Sequence, residues 1–335
     1  MTYYCSNNGV GVSTKKTEHG DFISTLNVIE NGDTIILKSG VYTFNKCLDI
    51  RKSNIIIKGN NKVIFDFKDI PYFNEINING NGINFYSDNS TLSNISIRYA
   101  AYCGLAVWGQ YNNFYNIETS YNCDCGFRLH NGGNHIENCV SHHNCDYRLY
   151  KFNNIKYGFN SDGFGDKLIS CDGNNYINCV SHDNGDDGFD FFQRETTYMQ
   201  TIMKFCQAYN NGNPTIDLSK NERLLADSEY KNRYDLKKYP NCGCGVGFKL
   251  GGIHIRTKEI NPNYINRHNI TIENSVSYNN TEGFSQNHNS GNINLINCIS
   301  TNNRKTNYYF MDKQYKCTLN MENCKSIPTD HVMIN

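Results

Sequence analysis

Apolar residues along this chain come in short β-branched runs rather than in helical stripes. Ile55-Ile56-Ile57, Val63-Ile64-Phe65, Ile95-Ser96-Ile97, Ile270-Thr271-Ile272 and Ile293-Asn294-Leu295 last a few residues each and are bounded by Asn and Gly, the pattern of short strands. The polar positions between them repeat. Two asparagines six residues apart recur as Asn116/Asn122, Asn138/Asn144, Asn178/Asn184, Asn274/Asn280 and Asn297/Asn303, while Asn94/Ala100 and Lys204/Asn210 fit with one member replaced. A Gly-apolar pair follows in Gly104-Leu105, Gly126-Phe127, Gly188-Phe189 and Gly283-Phe284, and Gly163-Phe164 and Gly247-Phe248 join the series after insertions. The first asparagines start 22 residues apart, from 94 to 116 and from 116 to 138, which is the length of one supersecondary unit.

Units this short cannot bury their own apolar face, so they must stack, with strands about 4.8 Å apart from one rung to the next. The expected fold is all-β, a right-handed parallel β-helix. A propeller would need blades of roughly 40–45 residues, and the Leu skeleton of a leucine-rich repeat is missing. One stretch breaks the pattern: Phe22, Ile23, Leu26 and Ile29 have helical spacing, so residues 19–31 are expected to form an amphipathic helix capping the first rung.

A solenoid grows by adding rungs, so 335 residues are expected to form one domain, with 212–245 and 253–267 as inserted loops. Zero formal net charge, 38% hydrophobic residues and five prolines give no basic patch for nucleic acid. No run reaches the apolar length of a membrane span, and the opening residues lack a signal peptide pattern. The 15 cysteines are odd in number, and Cys139, Cys179, Cys298 and Cys324 share one repeat position beside an asparagine, which predicts a column of reduced core thiols. Cys242/Cys244 and Cys123/Cys125 are the candidate pairs for any disulfide or metal site.

Two successive turns, Asn160 to Leu168 and His182 to Asp190, are loaded with carboxylates. Repeat register aligns Ala106, Arg128, Gly165, Asp190, Lys249 and Ser285 in one column, the residue after each Gly-apolar pair. Asp162 and Asp187 align in another, just before the Gly. Asp162, Asp186, Asp187 and Asp190 therefore converge on one face of two rungs, where like charges raise one another's pKa unless a cation intervenes. Oxygen-only donors in loose geometry suit Ca²⁺. Lys249 follows in the column of Asp190, in a Gly-dense strand that leaves room for a ligand.

These residues carry a family resemblance. Ser161 to Leu168, Asp183 to Asp190 with its 24-residue step from Asp162 to Asp186, and Gly247 to Gly252 resemble the pectate lyases of polysaccharide lyase family nine, and the repeats extend the likeness over roughly residues 30 to 325. The resemblance implies Ca²⁺ on Asp162, Asp186, Asp187 and Asp190, and Lys249 as the base that removes a proton. It also implies an acidic polysaccharide such as polygalacturonate as substrate, and secretion; a monomer is expected. Inserts at 212–245 and 253–267, with 148–160, are expected near the groove, where they leave cleavage pattern open.

The expected chemistry is β-elimination: Lys249 takes the C5 proton of a uronate and the C4–O bond breaks, giving a 4,5-unsaturated product. A free lysine titrates near 10.4, so an alkaline optimum is expected. Arg128, Lys167, Arg194 and Arg256 are candidates to hold neighbouring carboxylates. Two other readings compete. A polygalacturonase-like hydrolase would use Asp186 and Asp187 as acid and base, without Lys249 or Ca²⁺, but the chain lacks the Gly-His-Gly turn of those enzymes. A non-catalytic polysaccharide-binding β-helix explains the scaffold and leaves the acids without a purpose.

Overall fold

The computed structural model describes residues 1–72, 77–146, 160–167, 172–192, 199–226, 243–251, 268–312, 315–328 and 330–334. Their short strands stack into two parallel sheets, of 18 and 10 strands among the described residues, which wind together into a parallel β-helix. The larger sheet turns a corner in every rung. His135–Glu137 and Val140–His142 lie on either side of it, as do Asn175–Ile177 and Val180–His182 in the next rung.

Asparagine makes the corner because it tolerates the left-handed backbone region. Asn94, Asn116, Asn138, Asn178, Asn274, Asn297 and Asn323 all sit there, with φ between 49 and 59°. Their amides bond up the stack, Asn116 donating to Asn94, Asn178 to Asn138 and Asn297 to Asn274. This ladder is interrupted between Asn178 and Asn274. Ile177 pairs with Lys204, so Phe205 and not Lys204 occupies the corner, at φ 56°. Its partner is accordingly Asn211. The six-residue spacing survives, and the adjacent Asn210 and Asn211 hid the one-residue offset from the sequence.

The second asparagine of each pair is buried, and from Asn122 to Asn280 these side chains form an unbroken ladder. Asn122 donates to Asn144, Asn144 to Asn184, Asn184 to Asn211 and Asn211 to Asn280, all at 2.9–3.0 Å, across separations of 22, 40, 27 and 69 residues. Long inserts therefore leave between rungs without disturbing the stack.

The smaller sheet is built from the Gly-apolar pairs. A Cβ on Gly126, Gly163, Gly247 or Gly283 would lie only 1.9–2.3 Å from the hydroxyl of Ser141, Ser181, Ser277 or Ser300 on the opposite wall, so only glycine fits. Beyond the glycines the rings of Phe127, Phe164, Phe189, Phe248 and Phe284, and then Tyr308 after Asn307, stack face to face with centroids 4.6–5.3 Å apart. This column fixes the register of the residues that follow it.

The cap is shorter than expected. A helix spans Phe22–Leu26, with Asp21 accepting from the Ser24 amide at 2.6 Å as N-cap. Phe22 packs on Phe44 and Phe65, and Ile29 is buried beyond the helix. A strand that the sequence pattern did not predict, Thr2–Cys5, precedes it and pairs with Thr34–Leu37. Strands also continue past the expected repeat end, to Val332–Ile334.

Cys139, Cys179 and Cys298 are buried, free thiols bonded to backbone carbonyls, joined in the column by Cys206. Cys324 is only partly buried. The described start of the 212–245 insert does not stay at the groove. It runs back toward the first rungs, where Arg223 donates to the carbonyls of Tyr99 and Phe67 at 2.6 and 3.2 Å. Residues 253–267, Cys242 and nearly all of 148–160 lie outside the described residues. Among the described residues no helix is long and apolar enough to cross a membrane.

Candidate active site

Strand pairing puts Arg128 beside Gly165, Gly165 beside Asp190, Asp190 beside Lys249, and Lys249 beside Ser285. The column expected from repeat register is thus present, on the outward side of the smaller sheet. Around it the backbone hands hydrogen bonds from rung to rung: the Gly163 amide donates to the Asp187 carbonyl and the Gly188 amide to the Val246 carbonyl.

Carboxylate oxygens of Asp162, Asp186 and Asp187 lie within 4.8 Å of one another, all buried. Backbone amides hold them in place. Asp187 donates its amide to Asp162 Oδ1 at 3.2 Å, Val246 to Asp187 Oδ1 at 2.6 Å, and Cys244 and Asn160 to the two oxygens of Asp186 at 2.5 and 2.9 Å. The end of the insert is thereby bound to the site. Gly243 is required for this approach, since a Cβ there would meet Asp186 Oδ1 at 2.1 Å.

Asp190, the fourth expected ligand, faces two lysines. It is paired with Lys167, and its Oδ1 lies 3.6 Å from the Lys249 amine. Lys249 also donates to Asp187 Oδ2 at 2.8 Å and stands 5.2 Å above the Phe192 ring. Lys167, expected to clamp substrate, is instead drawn into the acid cluster: its amine is 3.7 Å from Asp162 Oδ2 and only 12% of the side chain is exposed. Arg128 is likewise engaged, 3.5 Å from Asp124 and donating to the Tyr102 hydroxyl at 2.9 Å. Arg194 and Arg256 lie outside the described residues.

The electrostatics follow from burial and crowding. Burial and the Asp186 charge push Asp187 up to about 7, and burial and Asp190 push Asp162 well above the usual carboxylate range. Burial raises Asp186 as well. Burial also works against ionised Asp190, but Lys167 and Lys249 outweigh it and hold Asp190 down at about 2. For Lys249, burial favours the neutral amine; Asp187, Asp190, Asp186 and Asp162 outweigh it and hold the ammonium well above its ordinary value. Such excess negative charge on oxygen-only donors fits a hard divalent cation.

The sequence reading missed two features of the surrounding face. Two residues past the Arg128 column, Tyr86, Trp108 and His130 stack outward, Trp108 and His130 with ring centroids 3.7 Å apart. Lys167 and Phe192 continue that line to the acid cluster. On the other side of Lys249 opens a cleft of about 610 Å³, lined among others by Ser285, Asn287, His288, Lys305 and Tyr309. Counting along the repeat finds the stacked rings. No motif marks the cleft.

A family model for the "Pel9A-like, right handed beta helix region" matches residues 3–323. The chain belongs to this family. The Pel9A-like assignment gives the coil its right hand and agrees with the resemblance to family nine drawn from the two acid turns. Pectate lyase L of Dickeya dadantii (strain 3937) is 30% identical over 149 residues, 44% of this chain and 27% of that protein. The same figures hold for pectate lyase L of Dickeya chrysanthemi. The chain thus matches little more than a quarter of these relatives' length. Among solved structures, pectate lyase Pel9A superimposes with a TM-score of 0.70 at 23% identity, covering 97% of this chain and 78% of that one. A rhamnogalacturonan lyase follows at 0.67 and 17%, covering 100% and 86%. At these identities the likeness speaks for the fold.

Proposed function

We propose that this chain is a polysaccharide lyase that cleaves polygalacturonate by β-elimination, with Lys249 as the base and Ca²⁺ on Asp162, Asp186, Asp187 and Asp190. The observation that carries this reading is the Lys249 amine set 2.8 Å from Asp187, at the edge of a three-carboxylate cluster and of an open cleft. The pectate lyases among the relatives favour a galacturonate polymer over other uronates.

Bound Ca²⁺ would neutralise the uronate carboxylate beside the reacting carbon and offset the aspartate charge that holds Lys249 protonated. Lys249 Nζ accepts the C5 proton. The C5–H electron pair becomes the C4=C5 bond, and the C4–O pair leaves with the departing chain, so no water is consumed. Phe192 walls the amine on one side, and Lys305, across the cleft, is placed for a neighbouring carboxylate. Lys167 shares Asp190 with Lys249, so it keeps positive charge beside the base, which favours the neutral amine.

The same geometry weighs against a hydrolase. A hydrolytic pair needs one carboxyl free to donate to a leaving group and another to activate water, whereas both oxygens of Asp186 and of Asp187 accept hydrogen bonds from the protein. The test is ultraviolet absorbance of unsaturated product on polygalacturonate, with and without chelator. Reducing ends released without unsaturation would overturn the proposal.

A further inference from the structure

The acid cluster has a second copy two rungs earlier, written in different residues. Cys103, Cys125, Asp162 and Asp187 each precede the glycine of a Gly-apolar pair, and the glycine amides of successive rungs bond to them in order, Gly104 to Cys125, Gly126 to Asp162 and Gly163 to Asp187. Asp124 and Asp186 both stand one residue earlier. The cluster Asp162–Asp186–Asp187 is therefore repeated, position for position, by Cys103–Asp124–Cys125. Their ligand atoms also lie within 4.8 Å of one another, and all three residues are buried.

We propose that Cys103, Asp124 and Cys125 form a second cation site, selective for a thiophilic divalent ion of the Zn²⁺ class. Two thiols in place of two carboxylates turn a hard donor set into a soft one. A separate observation points to a ligand. Asp124 is fully buried, and its Oδ2 has no hydrogen-bond partner, although a buried carboxylate oxygen is costly to leave unpaired. Its other oxygen faces the Cys103 thiol at 3.6 Å. The Cys103 thiol therefore has a carboxylate as its partner, and the Cys125 thiol lies 3.6 Å from Asp162 Oδ2 as well as 3.1 Å from the Asn160 carbonyl, whereas Cys139 and Cys179 bond to backbone carbonyls, which is how an inert core cysteine is satisfied.

Charge closes as well. Two thiolates and one carboxylate carry three negative charges, balanced by a divalent ion and by Arg128, 3.5 Å from Asp124. Ion uptake would release the two thiol protons. Zinc commonly takes four ligands, so one further donor would complete the set. A bound ion would tie two rungs together beneath Arg128.

The test uses Cd²⁺ as probe on the reduced, metal-stripped protein with saturating Ca²⁺ present, reading thiolate-to-metal charge transfer in the ultraviolet and stoichiometry by calorimetry. Wild type and Asp187→Asn are expected to bind one equivalent with the thiolate band, as is Cys139→Ser. The double variant Cys103→Ser, Cys125→Ser should lose both band and equivalent. Asp124→Asn keeps both thiols and is isosteric; it should weaken Cd²⁺ binding by at least about tenfold, the scale seen when a metal site loses a supporting group, with far-ultraviolet circular dichroism unchanged. A wild type without the band overturns the site. So does an undiminished band in the double variant, unchanged affinity in Asp124→Asn, or a Cys103–Cys125 disulfide in protein purified without reductant.

Discussion

The Lys249 amine lies 2.8 Å from Asp187 Oδ2, one rung apart in a stack whose spacing the Phe189–Phe248 pair enforces. An amine this close to buried carboxylates is a strong cation by itself and a base only when their charge is otherwise engaged. Lys249→Ala should therefore lower the rate of unsaturated product by about 10²–10⁴-fold, the usual reach of a general base, with Ca²⁺ affinity near wild type. Lys249→Arg should fail too, because a guanidinium does not deprotonate near neutral pH. Lys167→Ala is the control. If it loses more activity than Lys249→Ala, the roles of the two lysines are exchanged.

The cation prediction follows from the same charges. Asp162→Asn and Asp187→Asn each remove one of three carboxylates within 4.8 Å of one another, so calorimetric Ca²⁺ affinity should fall at least about tenfold in each, by the loss of a charged oxygen donor. Unaltered affinity in both would remove these residues from the site. Asp190→Asn separates two roles, since Asp190 also anchors Lys167 and Lys249.

Much of this was legible because a β-helix converts sequence offset into spatial adjacency. Once Gly188 and Gly247 are seen to mark the same position of successive rungs, Asp190 and Lys249 must be neighbours. The arrangement of long side chains was not legible. Lys167 lies five residues after Asp162, and nothing in the spacing says that its amine curls back to Asp190 rather than outward. Phe205 was misplaced by one residue because Asn210 and Asn211 offer two equivalent anchors. Trp108 and His130 carry no motif; they are recognisable only by counting two residues past the Ala106–Arg128 column, the period of side chains on one face.

That stacked pair yields a prediction about substrate length. Trp108 and His130 lie parallel on the outward face, on the line that Lys167 and Phe192 continue to the acid cluster. Trp108→Ala should raise KM for long polygalacturonate by roughly 2- to 10-fold, the free energy of about one aromatic contact, and leave trimer cleavage unchanged. An equal effect on trimer and polymer would mean that the ring supports the fold instead.

His130 itself makes the fold sensitive to acid. Burial, aided by Arg128, lowers its pKa to about 3, below the ordinary value near 6.5. The unfolded chain therefore takes up this proton first. The contribution of neutral His130 is intact above about pH 6.5 and is lost as pH falls toward 3, by at most about 1.4 kcal/mol per pH unit. His130→Phe should flatten the midpoint of urea unfolding between pH 6.5 and 4 relative to wild type; an unchanged slope would show that His130 does not set it.

Phe205 gives the clearest stability prediction. Among the described residues it is the one aromatic at the corner that asparagine fills in the rungs of Asn178 and Asn274, and it is 53% exposed at φ 56°. A bulky residue in the left-handed region is strained by roughly 1–2 kcal/mol, a cost asparagine largely avoids. Phe205→Asn should also let an amide bridge Asn178 and Asn274, joining the two ladder segments. The exposed ring has little burial to lose. The variant is expected to be more stable by about 1 kcal/mol, read as a rise in the urea midpoint at unchanged slope. Phe205→Ala separates the causes: it removes the ring and keeps much of the strain, so it should gain nothing. Equal stabilisation by both variants would trace the gain to loss of the exposed ring and sink the corner argument.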